Sequence, residues 1–146
     1  MSELEIKSYG SWVSPITSNL IVSETVRLGQ VVLDNESTYW TEGRPQEGGR
    51  NVIVHCTADG QKNDVTPEPF NVRSRVHEYG GGAFAVVDKT VYFSNYLDNQ
   101  IYRQEMGSRP VAITSESGRR HADFVINQKQ NRLVCVSEDH SDRPLY

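Results

Sequence analysis

One kind of strand pair recurs along this chain at a nearly constant spacing. "VVLDNESTYWTEG" is followed about fifty residues later by "AVVDKTVYFSNY", and about forty residues after that by "FVINQKQNRLVCVSED". The segments between the copies also match, because "NVIVHCTADGQKNDVTP" and "QIYRQEMGSRPVAITSE" each read as a strand, a turn and a short strand closing on Val-Thr or Ile-Thr. The repeating unit is therefore a four-stranded meander of about 40–50 residues, which is typical of a β-propeller blade.

Eight segments are predicted as strands because they are rich in Val, Ile, Tyr, Phe and Trp and end in turn residues. They are 29–34, 37–42, 51–57, 82–88, 90–95, 100–105, 122–127 and 132–138. Asp59-Gly60 is a strong hairpin signal, since glycine accepts a positive φ without steric cost. No segment has sustained helical periodicity, so the fold class predicted is all-β.

The repeat predicts an incomplete propeller domain over 1–146, with about two and a half four-stranded antiparallel blades. The blades are placed at 18–67 and 70–116, with a partial blade at 119–146. A ring closes with roughly four to eight blades, so this chain is expected to be a fragment or to complete a ring with other copies. Open blade edges are expected to promote self-association.

Composition excludes several classes of function. The net charge of −4 and the pI of about 5.5 argue against a nucleic-acid partner, which requires clustered Lys and Arg. No apolar run approaches the roughly 20 residues that span a bilayer, and the start has no signal-peptide pattern, so a cytoplasmic protein is expected. Cys56 and Cys135 then favour reduced, buried thiols, with a disulfide or a catalytic thiol as the alternatives.

The segment "RVHEYGGGAF" (75–84) sets a His, a Glu and a Tyr against three consecutive glycines. It is not a zinc-protease helix, because three glycines disrupt a helix. It is not a dinucleotide-binding loop either, because that motif leads into a helix and a strand follows here. Two interpretations stay open. The glycines form a sharp corner that approaches the propeller axis at the start of an innermost strand, or Arg75, His77, Glu78 and Tyr79 line a substrate channel.

Other candidate sites carry less signal. The four histidines show no metal-ligand spacing, and no metal or cofactor is predicted; they are His55, His77, His121 and His140. The acidic run Glu138-Asp139-His140 is interpreted as a solvated turn, with binding of a cationic group as the alternative. No G-x-S-x-G motif occurs, so no residue of this chain is predicted to be catalytic.

Several segments together resemble a known group of enzymes. "YGSWVSPIT", "LGQVVLD", "YWTEGRPQEGGRNVIV", "DVTPEPFNVRSRVHEYGGGAF" and "VYFSNYLDNQIYRQ" are similar to the N-terminal propeller of prolyl oligopeptidase family serine peptidases. The branch that they resemble most is the dipeptidyl aminopeptidase and acylaminoacyl-peptidase one. The resemblance runs from about Ser8 to His140, nearly the whole chain.

The resemblance implies that catalysis and substrate access belong to two different domains. In that family a propeller caps an α/β-hydrolase domain, which carries the Ser-Asp-His triad, and the propeller restricts access to peptides. The hydrolase domain and most later blades are absent here, so the chain alone is expected to be inactive. Its implied partners are those missing parts and a peptide substrate. The alternative is a stand-alone interaction module that assembles a ring from several copies.

Overall fold

The computed structural model of the protein describes residues 6–23 and 25–141. Ten strands follow one short helix, α1. The helix is Ser18–Ser23, and the strands are β1 Arg27–Asp34, β2 Ser37–Arg44, β3 Arg50–Cys56, β4 Lys62–Asp64, β5 Phe84–Val87, β6 Thr90–Ser94, β7 Ile101–Glu105, β8 Val111–Ala112, β9 Arg119–Asn127 and β10 Arg132–Asp139. Short 3-10 turns lie at Pro45–Glu47 and Gln128–Gln130.

The strands form three antiparallel sheets in chain order. The first contains β1-β2-β3-β4, the second β5-β6-β7-β8, and the third β9 and β10. The two four-stranded sheets are meanders and the third is a hairpin, so the predicted all-β partial propeller is confirmed. The sheets are named blades one, two and three below. Within the described residues, no helix is long and apolar enough to cross a bilayer.

The helix at 18–23 was not predicted. Thr17 caps it, because its Oγ1 accepts the backbone N–H of Leu20 at 3.1 Å and its carbonyl accepts that of Ile21 at 3.0 Å. With six residues it is too short to show a period in the sequence. The sheet of the first blade accordingly begins at Arg27.

The main core lies between blades one and two. Its fully buried side chains come from both sheets and from the segment that joins them, and they include Tyr39, Ile53, Val72, Phe84, Val91 and Phe93. The rings of Phe70, Phe93 and Tyr102 pack against one another with centroids 4.9–5.9 Å apart. Burial of this apolar surface is what holds the two sheets together.

A glutamine side chain from an irregular position of β1 joins the innermost strands of blades one and two. The pairing of β1 with β2 shifts register between Leu28 and Val31, and Gln30 lies in that interval. Its amide reaches β5, accepting the N–H of Ala83 at 2.8 Å and donating to the carbonyl of Phe84 at 2.7 Å. One side chain therefore satisfies both kinds of backbone group at the edge of the next blade.

The Val-Thr and Ile-Thr pairs of the repeat have the same role in both complete blades. Thr66 Oγ1 accepts the N–H of Ile53 at 3.0 Å, and Thr114 Oγ1 accepts the N–H of Ile101 at 2.9 Å. In each blade the residue before the threonine donates its own N–H to the carbonyl of that same isoleucine. The threonine hydroxyl thus completes the ladder where the outer strand ends.

The two outermost faces expose apolar side chains. On β1 these are Leu28, Val31 and Leu33, which are 69%, 61% and 73% exposed. On blade three they are Val125, Val134 and Val136. Each end of the stack therefore presents a face of the kind that a neighbouring blade covers in a propeller.

The hydroxyl of Thr66 gives a test of this ladder. Thr66→Val is expected to lower the free energy of unfolding by about 1–3 kcal/mol, because the buried N–H of Ile53 loses its acceptor. Urea denaturation followed by circular dichroism measures the change. Thr66→Ser keeps the acceptor and should lose clearly less. Equal stability of the valine variant and the parent would contradict this role.

Candidate functional site

The segment 75–82 forms a compact loop with a strained backbone. His77 and Glu78 both have positive φ, at 56° and 65°, and Gly80 follows at 99°. The loop closes on itself, since the N–H of Glu78 bonds the carbonyl of Arg75 at 3.0 Å and that of Gly80 bonds the carbonyl of Val76 at 2.8 Å. Two successive left-handed residues other than glycine are costly, so contacts from outside the loop must stabilise them.

Glu138, at the end of β10, supplies the first of these contacts. Its Oε1 accepts the backbone N–H of His77 at 2.9 Å and lies 3.0 Å from Nδ1 of the same residue. Its Oε2 lies 3.1 Å from Nε2 of His140. The hydrogen bond to His140, and then that from the His77 backbone, lower the pKa of Glu138. The carboxylate thus connects blade three to the loop.

Arg120, on β9, supplies the second contact. One guanidinium nitrogen donates to the carbonyl of Arg75 at 3.1 Å and to Oε1 of Glu78 at 2.7 Å. Charge-assisted bonds of this kind are about twice as strong as neutral ones. Blade three therefore holds the loop from two adjacent strands.

The glycines are required by a close approach of the neighbouring blade. Gly82 and Asp123 exchange hydrogen bonds: the N–H of Gly82 donates to Oδ1 at 2.7 Å, and the N–H of Asp123 donates to the carbonyl of Gly82 at 2.7 Å. A Cβ on Gly82 would lie 2.9 Å from that Oδ1, and one on Gly81 would lie 3.0 Å from the Cβ of Ala122. The observed close approach is to the inner strand β9 of blade three. The approach to the propeller axis stays a prediction.

The side of the loop away from these contacts is open. Tyr79 is 84% exposed, and its ring stacks on that of His77 with centroids 5.8 Å apart. The guanidinium carbon of Arg75 lies 4.1 Å from the ring centroid of Tyr96, and its buried Nε has no hydrogen-bond partner among the described residues. The loop thus combines anchored residues with an aromatic ring offered to solvent.

A recess of about 290 Å³ lies beside the loop, between it and blade one. Side chains from both parts line it, including Arg27, Gln30, Thr41, Arg73, Ser74 and Tyr79. Among the described residues, no aspartate or glutamate belongs to this lining. The charged side chains of this described lining are therefore all cationic.

The structure separates the four residues that sequence analysis grouped. His77 and Glu78 bind blade three, Tyr79 lines the recess, and Arg75 stacks on Tyr96. Sequence reasoning assigned no role to three neighbours of these residues, namely Arg73, Tyr96 and Arg120. It had singled out Glu138 and His140, which prove to contact each other, with Glu138 also holding the loop.

The environment of Cys135 does not favour a nucleophilic thiolate. Cys56 and Cys135 are both free and half-buried. The sulfur of Cys135 lies 3.9 Å from Nδ1 of His121, but burial raises the pKa of this thiol and lowers that of the imidazole. A nucleophilic cysteine needs the opposite shift of its thiol pKa.

Solved structures similar to this chain are peptidases. A puromycin hydrolase is 30% identical, with a TM-score of 0.80, over 93% of this chain and 22% of its own. A puromycin-hydrolyzing peptidase from Mycobacterium tuberculosis is 32% identical, with a TM-score of 0.81, over 88% of this chain and 21% of its own. A puromycin hydrolase with a serine-to-alanine substitution, complexed with PGG, is 31% identical, with a TM-score of 0.80, over 91% and 22%.

The predicted resemblance to the propeller region of prolyl oligopeptidase family peptidases is confirmed. This chain spans about a fifth of the length of these peptidases. No protein-family model matches the chain, and no curated protein matches it either.

The contact between Gly82 and Asp123 gives one prediction. Gly82→Ala should lower the free energy of unfolding by about 1–3 kcal/mol, because the new methyl group meets the carboxylate of Asp123. Asp123→Gly removes that carboxylate and suits the φ of 57° at position 123. The double variant, measured by urea denaturation, should lose less than the sum of the two single losses. Strict additivity would show that the two residues are not coupled.

The lowered pKa of Glu138 gives a second prediction, on the pH dependence of stability. Its ionised form is favoured in the folded state, so its contribution is present above the ordinary value of 4.5 and is lost as the pH falls through the lowered value. Glu138→Gln should therefore lower the unfolding temperature at pH 7, and the difference from the parent should shrink below about pH 4.5. Glu36→Gln, in an exposed turn, is the control. A difference that stays constant from pH 7 to pH 3 would contradict the assignment.

Proposed function

We propose that this chain is the propeller portion of a serine peptidase of the prolyl oligopeptidase family, and that it gates and selects peptide substrates for a hydrolase domain outside these residues. The single observation that supports it best is the match to puromycin hydrolase over 93% of this chain at 30% identity. The lack of a G-x-S-x-G motif agrees with chemistry located elsewhere.

The finer assignment rests on the loop 75–82. Arg75, His77, Glu78 and Tyr79 would face the substrate channel of the assembled propeller. Blade three fixes the loop backbone, so that the exposed ring of Tyr79 and the guanidinium of Arg75 are held in place for a peptide. The dipeptidyl aminopeptidase or acylaminoacyl-peptidase branch and a cytoplasmic location belong to the same proposal.

Kinetics of the intact protein that contains these residues test this role. Tyr79→Ala and Arg75→Gln should each raise KM for a tripeptide anilide by about tenfold, corresponding to about 1.4 kcal/mol of binding, with a smaller effect on kcat. Tyr9→Ala and Arg109→Gln remove the same side-chain types from exposed positions outside the loop. Unchanged kcat and KM in both loop variants would refute a role in substrate selection.

A second candidate function is an interaction module that builds its ring from several copies of this chain. The exposed apolar faces at Leu28, Val31 and Leu33 and on blade three favour it, since copies could cover one another. The reading frame beyond Tyr146 separates the two functions. A G-x-S-x-G motif followed by Asp and His supports the peptidase, and a native stop codon there supports the module.

A further inference from the structure

Five of the ten arginines of the described residues lie against a carboxylate. Those with such a partner are Arg44, Arg50, Arg103, Arg119 and Arg120. The other five have none within 4.0 Å in the described part of the chain, and they are Arg27, Arg73, Arg75, Arg109 and Arg132. Three of these five, Arg27, Arg73 and Arg75, are connected by a shared recess or a shared aromatic ring, whereas Arg109 and Arg132 line other parts of the surface.

These three arginines are neighbours in space. The guanidinium carbons of Arg73 and Arg75 lie 4.9 Å and 4.1 Å from the ring centroid of Tyr96. Arg27 and Arg73 both line the recess of about 290 Å³. Each contact with an aromatic ring contributes about 0.5–1 kcal/mol but does not neutralise a charge. Positive charge therefore accumulates at this edge of the protein, where like charges repel.

The recess suits a small anionic group. Its described lining residues include no carboxylate, and Thr41, Ser74 and Tyr79 add hydroxyl groups that can donate. The volume is at the lower end for a ligand pocket and admits the end of a peptide or one side chain. A guanidinium group binds a carboxylate through two parallel hydrogen bonds, which gives both strength and orientation.

We propose that this recess binds a carboxylate group of a peptide, with Arg27 and Arg73 as its ion-pair partners and Tyr79 as a wall. Arg75, beside Arg73 on the same ring, raises the local positive potential. That the peptide is a substrate rests on the proposed function, whereas the binding itself does not. The carboxylate could come from a peptide C-terminus or from an Asp or Glu side chain, and both present the same group.

Titration calorimetry with the full 146-residue chain at low ionic strength tests the site directly. The probes are N-acetyl-trialanine, its C-terminal amide and N-acetyl-Ala-Glu-Ala-amide. The free acid is expected to bind at least about ten times more tightly than the neutral amide, because only the acid gains charge-assisted bonds. Tighter binding of the glutamate probe than of the free acid would assign the site to a side chain, and the reverse order would assign it to a C-terminus. Equal affinity of all three probes would overturn the proposal.

Variants locate the binding. Arg27→Gln and Arg73→Gln should each weaken binding of the acid by about tenfold or more, and raising the salt concentration should weaken it further. Both residues are exposed, so circular dichroism of the variants should match the parent. Arg109→Gln removes the same charge from a position that does not line the recess, and should leave the affinity unchanged. Unchanged affinity in both recess variants, or tighter binding of inorganic phosphate than of either peptide acid, would refute a peptide carboxylate site.

These binding results do not depend on peptidase activity. If the acid binds and the kinetics of the loop variants are unchanged, the carboxylate site stands and the proposed function fails. If the kinetics change and no probe distinguishes acid from amide, the proposed function stands and the carboxylate site fails.

Discussion

Hydrogen bonds from irregular positions on the inner strands hold this stack of sheets in register. Gln30, in the irregular part of β1, bonds both Ala83 and Phe84 of the next inner strand. Asp123 lies where the pairing of β9 with β10 shifts register, and it exchanges two hydrogen bonds with Gly82. Apolar packing is non-directional, so it cannot set the register of neighbouring blades by itself. Side chains that hydrogen-bond the backbone of the neighbouring blade can set this register, because each donor meets its acceptor at only one position.

The turns at the other end of the inner strands also form side-chain hydrogen bonds to the backbone of the next blade. The carboxylate of Asp34 accepts the N–H groups of Asp88 and Lys89, both of which have positive φ. The carboxylate of Asp88 in turn accepts the side-chain amide of Gln128 in blade three. Each blade is thus hydrogen-bonded to the next near both ends of its inner strand. The repeat visible in the sequence is therefore also a repeat of contacts between blades.

The sequence predicted the parts of this structure that depend on local pattern. All eight predicted strands occur, because alternation and turn residues act within a few positions. The threonines at 66 and 114 were visible as a repeated Val-Thr and Ile-Thr ending. The anchoring of the loop was not predictable in the same way. Glu138 bonds His77 across 61 positions, and no periodicity connects residues so far apart.

The same anchoring determines the charge around the recess. Glu78 is the only acidic residue of the loop 75–82, and it pairs with Arg120 of blade three. In the described residues no carboxylate lies within 4.0 Å of the Arg73 guanidinium at the recess. The loop is thus held by an ion pair on one side and lies beside positive charge on the other. The interaction that fixes the loop and the electrostatics that would attract an anion thus have a common origin in the sequence "RVHEYGGG" and its partner blade.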